Sequence, residues 1–150
     1  MYIHDFKVKM HHTDAAGVAF FAQFFLMAHE AYEAALDAHG APLGAWLHDS
    51  PAPLVHTEAD YLQPLRLSDH ARVRLGVDHI GGRSFTVSYA LEVLRGGEWA
   101  SAARLKFVHV TVAPGIGAAC TLPQPLRDVL VAIGPLTPPS PLNSPSHGAS

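Results

Sequence analysis

The stretch from Phe21 to Gly40, FAQFFLMAHEAYEAALDAHG, constrains the fold more than any other part of the chain. Phe21, Phe24, Phe25, Ala28, Tyr32, Ala35 and Leu36 recur at the i, i+3, i+4, i+7 spacing of an amphipathic helix. Ala22, Leu26 and Met27 add apolar surface off that stripe, so the helix is expected to be covered on more than one face. Gln23, Glu30 and Asp37 lie near a separate line on its surface, and Gly40 stands where a helix commonly ends. Such a helix cannot stand alone in water. The rest of the chain must supply what buries it.

That supply is a set of strands. In residues 2–10, Tyr2, His4, Phe6, Val8 and Met10 point one way and Asp5, Lys7 and Lys9 the other, the pattern of a half-buried strand. A further strand is predicted over 53–61. In 70–78, Ala71, Val73, Leu75 and Val77 alternate with His70, Arg72, Arg74 and Asp78. In 84–93, Phe85, Val87, Tyr89, Leu91 and Val93 alternate with Thr86, Ser88 and Glu92. Gly81-Gly82 and Gly96-Gly97 are hairpin signals between neighbouring strands. The last strand, 98–113, changes phase midway: Leu105 and Phe107 are odd, Val108, Val110 and Val112 even, which predicts a bulge or bend there. APLGAWLHDSPAP reads as a connector with one short helical turn, and PQPLRDVLVAIG as a short terminal helix. The simplest way to bury the long helix is an antiparallel sheet curled around it, an α+β domain over residues 1–136. From Thr137 to Ser150, TPPSPLNSPSHGAS is rich in Pro and Ser and reads as a disordered tail.

Bulk properties narrow the function classes. The 150 residues fit one domain. The net charge is −3 and the sequence has no Lys/Arg cluster, which argues against nucleic acid or an acidic membrane surface as partner. Small anionic ligands stay open. The N-terminal MYIHDFKVKM is charged and alternating, unlike a signal peptide. No apolar run reaches the ~18 residues of a membrane span, so a cytoplasmic location is expected. Cys120 is the one cysteine and has no partner for a disulfide or a CxxC site. Eleven histidines are many, but none shows paired ligand spacing, and His11 and His12 would face opposite sides of a strand. No metal is expected.

The chemistry-bearing stretch is MHHTDAAGVAFFAQFF, residues 10–25. It sets one acid, Asp14, in a small-residue turn directly before the helix. Asp14 either forms an Asx-turn or caps the helix, or it is a reacting group. A helix N-terminus offers free N–H groups and a positive dipole end. With a helix starting near Phe20, the N–H groups of Phe20 and Phe21 point outward. Gly17 is expected to let the backbone approach a ligand closely.

The element order, together with Asp14-Ala15-Ala16-Gly17-Val18-Ala19-Phe20-Phe21, resembles the hotdog-fold thioesterases of the 4-hydroxybenzoyl-CoA thioesterase family over roughly residues 3–113. FFAQFFLMAHEAYEAAL and PLVHTEADYLQPLRLSD look like the corresponding stretches of 1,4-dihydroxy-2-naphthoyl-CoA thioesterases. Ala19 departs from the family's bulkier residue, which would reshape the acyl pocket. The resemblance implies a hotdog fold, a five-stranded antiparallel sheet wrapped around one long central helix. It implies a homodimer with sheets joined edge to edge and active sites at the interface, with pairing of dimers into tetramers open.

The implied activity is hydrolysis of an acyl-CoA, aromatic by family likeness, to a free acid and CoA, with no cofactor because CoA is part of the substrate. In that scheme Asp14 attacks the thioester or activates water, the Phe21 N–H holds the carbonyl, and Gly17 leaves room for it. Glu30 is a second catalytic candidate, since some hotdog enzymes use an acid borne on the helix. Phe20, Gln23 and His56 are candidates for contact with the acyl group. Arg83 and Ser84, after the Gly81-Gly82 turn, are candidates for the CoA phosphates, with Arg104 and Lys106 behind them. The alternatives are a short-chain acyl-CoA or acyl-carrier-protein thioesterase and a non-catalytic acyl-CoA-binding protein.

Overall fold

Period-two burial runs cleanly through the middle of the sheet. Phe85, Val87, Tyr89, Leu91 and Val93 are buried, while the intervening Thr86, Ser88 and Ala90 are half-buried. In the computed structural model, which describes residues 1–138, this segment is β4 (Ser84–Arg95). It pairs with β3 (His70–Ile80) and β5 (Glu98–Val110). With β1 (Tyr2–Lys7) and β2 (Leu54–Tyr61) at the edges, the strands form one antiparallel sheet in the order β1-β3-β4-β5-β2. Gly96 and Gly97 close the β4–β5 hairpin with φ of 57° and 83°, a pair of left-handed residues that only glycine adopts freely.

The long helix is α1 (Gln23–Ala38). Phe24, Met27, Ala28, Ala31, Tyr32, Ala35 and Leu36 are buried on it, and it packs against β1, β3 and β5. Gly40, at φ 73°, turns the chain after its end. Two expectations change. The helix begins at Gln23 rather than near Phe20, because Phe21 and Ala22 form a turn ahead of it. Of the off-stripe residues on the helix, Met27 is covered at 2% exposed while Leu26 is 56% exposed, so the helix is wrapped on part of that side only. The short α2 (Leu43–Trp46) and terminal α3 (Gln124–Ile133) sit where the sequence predicts them.

Three local details differ from the sequence reading. β1 stops at Lys7, and Met10–His12 is a 3-10 turn, so Met10 is exposed and His12 buried. The Lys9 N–H donates to His12 Nδ1 at 2.9 Å, which draws His12 inward. The irregularity in β5 lies at Ala102, where Leu91 pairs with Ala103 and Glu92 with Ser101. Beyond it the alternation holds: Leu105, Phe107 and His109 are buried and Val108 and Val110 only half-buried, so no phase change occurs after Phe107.

The face of the sheet turned away from α1 is polar. Glu92 there receives Arg72 at 2.6 Å and Arg74 at 3.2 Å, and the Arg72 guanidinium lies 4.1 Å from the Trp99 ring centroid. After α3, Gly134 accepts the Val77 N–H at 2.7 Å, and Leu136 crosses β3 at Gly76, where a Cβ would overlap its backbone nitrogen. The tail expected over 137–150 lies, after Pro138, outside the described residues. Among the described residues no helix is long and apolar enough to cross a membrane.

Candidate active site

The turn before α1 is built on Asp14. Its N–H donates to the Val18 carbonyl at 2.9 Å, its carbonyl accepts from Gly17 at 3.0 Å, and its Oδ1 accepts the Ala16 N–H at 2.8 Å. That is an Asx-turn, so the structural role open to Asp14 is realised through one carboxylate oxygen. The side chain is exposed, and Oδ2 has no hydrogen-bond partner among the described residues. The turn therefore holds the carboxylate in place and leaves one oxygen free. Gly17 has φ 76°, and a Cβ there would meet nothing within 4 Å. Within the chain, the left-handed backbone is what favours glycine at this position, and the open space beside it leaves room for a ligand.

The first amides of α1 divide unequally. The Phe20 N–H is taken by the His12 carbonyl at 3.0 Å, which corrects the expectation that it points out of the helix end. The next donors used are Gln23 to Phe20, Phe24 to Phe21 and Phe25 to Ala22, at 2.9, 3.3 and 3.2 Å. Among the described residues, the N–H groups of Phe21 and Ala22 have no backbone acceptor. Two free donors thus stand at the positive end of a 16-residue helix.

Beside them lies an apolar cavity of about 340 Å³, lined by Ala19, Phe21, Phe24, Tyr61, Leu62, Gln63 and Pro64. Ala19, where the resemblance expects a bulkier residue, is one of its walls. Tyr61, which the sequence reading passed over, donates its hydroxyl to the Phe21 carbonyl at 3.0 Å and meets the Phe24 ring edge-on at 5.1 Å. Burial raises its phenol pKa above the usual value. The signal for it was an aromatic with a polar tip at the end of an edge strand.

The other predicted residues spread along the molecule. Gln23 is half-buried at the helix start, and Phe20 is 48% exposed beside Phe21, the two rings 4.6 Å apart. Glu30 is exposed on α1. Its charge acts on His12, whose pKa burial and His11 together hold below the ordinary value against the pull of Glu30. His56 sits on exposed β2 and bonds Glu58 at 2.9 Å, which with Lys106 keeps the Glu58 carboxyl below its usual range. Arg104 and Lys106 face Asp60 and Glu58 across the β2–β5 ladder, so their charges are already opposed.

Arg83 and Ser84 follow the β3–β4 turn, where Ser84 pairs with Val110. Tyr61, the last residue of β2, pairs with Ala103 in the middle of β5, seven residues before Val110. At about 3.4 Å per residue these positions are about 24 Å apart, so one chain does not bring Arg83 to its own Phe21. No group of three or more His, Cys, Asp or Glu among the described residues is placed to hold a metal ion.

This fold and this helix-end site define a class. The sequence profile of the Thioesterase-like superfamily matches residues 8–130, and the chain belongs to that family. Its relatives include a 1,4-dihydroxy-2-naphthoyl-CoA hydrolase of Rippkaea orientalis, 33% identical over 109 residues that make up 71% of this chain and 78% of that one. The 1,4-dihydroxy-2-naphthoyl-CoA hydrolase of Synechococcus elongatus is 32% identical over 126 residues, 82% of this chain and 90% of that one. The crystal structure of a 1,4-dihydroxy-2-naphthoyl-CoA thioesterase from Synechocystis superposes with a TM-score of 0.79 at 29% identity, covering 87% of this chain and 95% of that one.

Proposed function

We propose that the protein hydrolyses an aromatic acyl-CoA thioester to the free acid and CoA. The observation that carries this reading is the pairing of one anchored carboxylate, Asp14, with two unused amides, Phe21 and Ala22, beside an apolar cavity. Thioester hydrolysis needs an attacking oxygen and donors for the oxyanion that develops as the carbonyl becomes tetrahedral. The Phe21 N–H, with the Ala22 N–H beside it, supplies those donors, and Asp14 Oδ2 supplies the base or nucleophile. As nucleophile, Oδ2 bonds the acyl carbon, CoA leaves as thiolate, and water then cleaves the mixed anhydride. As base, Oδ2 takes a proton from water while the water oxygen attacks, and the proton passes to the departing sulfur. Neither route asks for a cofactor. The aromatic acyl preference rests on the activities of the relatives.

The site is completed by a second copy. Strand β2 is exposed along nearly its whole length, with Leu54, Val55 and Tyr61 open to solvent and its outer edge unpaired among the described residues. Two β2 strands joined antiparallel around a twofold axis set the Leu54 end of one chain beside the Tyr61 end of the other. Arg83, Ser84 and His56 of one protomer then approach the Phe21 turn of its partner. We assign a homodimer on this ground, and a cytoplasmic setting with the CoA thioesters it would consume.

The test is a hydrolysis panel of aryl- and alkyl-CoA thioesters, followed by release of free thiol. Turnover concentrated in the aryl thioesters is expected. Release from short alkyl chains alone would overturn the acyl assignment, and no release from any thioester would overturn the hydrolase reading.

A further inference from the structure

At the far half of α1, two buried polar atoms have no hydrogen-bond partner among the described residues: Tyr32 Oη and His109 Nε2. The side chains are only 2% and 3% exposed, so these groups have given up water without replacement. His109 Nδ1 lies 2.9 Å from the Ala52 carbonyl. A carbonyl only accepts, so Nδ1 carries the proton and Nε2 is a bare acceptor. The imidazole is held between Phe85, at 4.7 Å and 7°, and Tyr32, at 5.2 Å and 28°. The tautomer and the ring plane are both fixed. The Tyr32 ring stacks on this imidazole, and its hydroxyl has no acceptor among the described residues.

Both side chains line a cavity of about 510 Å³, a size suited to a small organic ligand. Its other walls include Trp46, Pro51 and Pro53, flat apolar groups, and His29 and Glu33, with His29 Nδ1 and Glu33 Oε1 3.2 Å apart. The wall that carries Trp46 is α2, whose Leu43 and Trp46 are half-buried against the core and whose Trp46 Nε1 donates to the Ala41 carbonyl at 3.0 Å. Leu54, the first residue of β2, lines the same cavity. In the antiparallel β2 pairing described above, this end meets the partner's Phe21 turn.

We propose that this cavity receives the acyl ring of the thioester held at the partner's Phe21, and that Tyr32 and His109 select a ring bearing a hydroxyl. A phenol is both donor and acceptor. Tyr32 Oη and His109 Nε2 are closed to water in the free protein, so entry of the ring must shift the side chains. The phenol O–H then donates to His109 Nε2 and its oxygen accepts from the Tyr32 O–H, and one ring substituent satisfies both. An unsubstituted ring leaves them unmet. The proposal rests on the dimeric hydrolase reading but is tested without turnover.

The measurement uses the full-length protein with Trp99 replaced by Phe, so that Trp46, at the cavity, reports binding through its fluorescence. The probes are 4-hydroxybenzoate and benzoate. The expected result is binding of 4-hydroxybenzoate about tenfold tighter or more. Tyr32→Phe, which removes only an unpartnered hydroxyl and leaves the fold intact, is expected to erase that difference. Equal binding of the two acids, no binding of either, or a preference that survives Tyr32→Phe would each overturn the proposal. Failure of the hydrolase reading shows separately, as absence of thiol release from every CoA thioester.

Discussion

The Tyr61 hydroxyl donates to the Phe21 carbonyl across 3.0 Å, tying the exposed edge strand to the turn that frees the Phe21 amide. The same peptide run thus has its carbonyl held by β2 and its N–H left for a ligand. Loss of one neutral hydrogen bond of about 1 kcal/mol loosens that donor, and about 1.4 kcal/mol in the barrier is tenfold in rate. Tyr61→Phe is expected to lower kcat several-fold while KM and Tm change little. Steady-state kinetics and a melting curve check it, and an unchanged kcat would show that the anchor does not position the donor.

Gly17 sits at φ 76° with open space where a Cβ would go. Gly17→Ala meets no steric block but carries the left-handed penalty of about 1–2 kcal/mol, a fall of about 2–4 °C in Tm for each kcal/mol in a chain of this size. Gly17→Asn, a residue that tolerates this region, should recover part of the loss. If both variants melt with the wild type, backbone conformation is not what demands glycine here.

Stability should weaken on mild acidification. Burial lowers the pKa of His109 below its ordinary 6.5, and burial with His11 does the same for His12. The unfolded chain then binds protons that the folded chain refuses. The contribution of these neutral histidines is complete above about pH 6.5 and is lost as the pH falls from there toward the depressed folded values. Tm is expected to drop between pH 7 and pH 5, about the unfolded imidazole pKa. His109→Gln should flatten the decline, and a Tm that holds or rises over that range would contradict the account.

Arg83 lies about 24 Å along the sheet from its own Phe21 turn, and in the proposed dimer it serves the partner's site. Arg83→Ala is expected to raise KM for the acyl-CoA and to spare a pantetheine thioester of the same acid. A mixture of Arg83→Ala and Asp14→Asn chains should regain kcat/KM at low acyl-CoA beyond the sum of the separate variants, since one mixed site has both native residues. Equal loss on both substrates, or no regain on mixing, would count against a shared site.

The regular parts of this fold were legible because their signals are periodic. Phe85 to Val93 and Ala71 to Val77 alternate without a break, and Phe24 to Leu36 keep helical spacing. The bulge at Ala102 was not legible, since Ala100, Ala102 and Ala103 carry no contrast between faces. Met10 continued the strand pattern on paper, but His12 competes through its bond to the Lys9 amide and ends the strand early. At the site, the sequence placed Asp14 beside the helix end but could not show which amide is spent. That depends on the His12 carbonyl, which reaches Phe20 only once the turn has folded. Tyr61 and the Tyr32–His109 pair were missed for a similar reason: their partners, or lack of them, are set by tertiary packing between residues distant in sequence.

The central claim is that Asp14 Oδ2 reacts at a thioester held by the Phe21 amide. Its most direct test is the kcat of Asp14→Asn on 4-hydroxybenzoyl-CoA or another aryl-CoA that the wild type hydrolyses, with Tm measured alongside. Asparagine keeps the Asx-turn to Ala16 but has no carboxylate, so the account predicts a fall in kcat of about a thousandfold or more with Tm unchanged. Near wild-type kcat in a folded Asp14→Asn protein would contradict it.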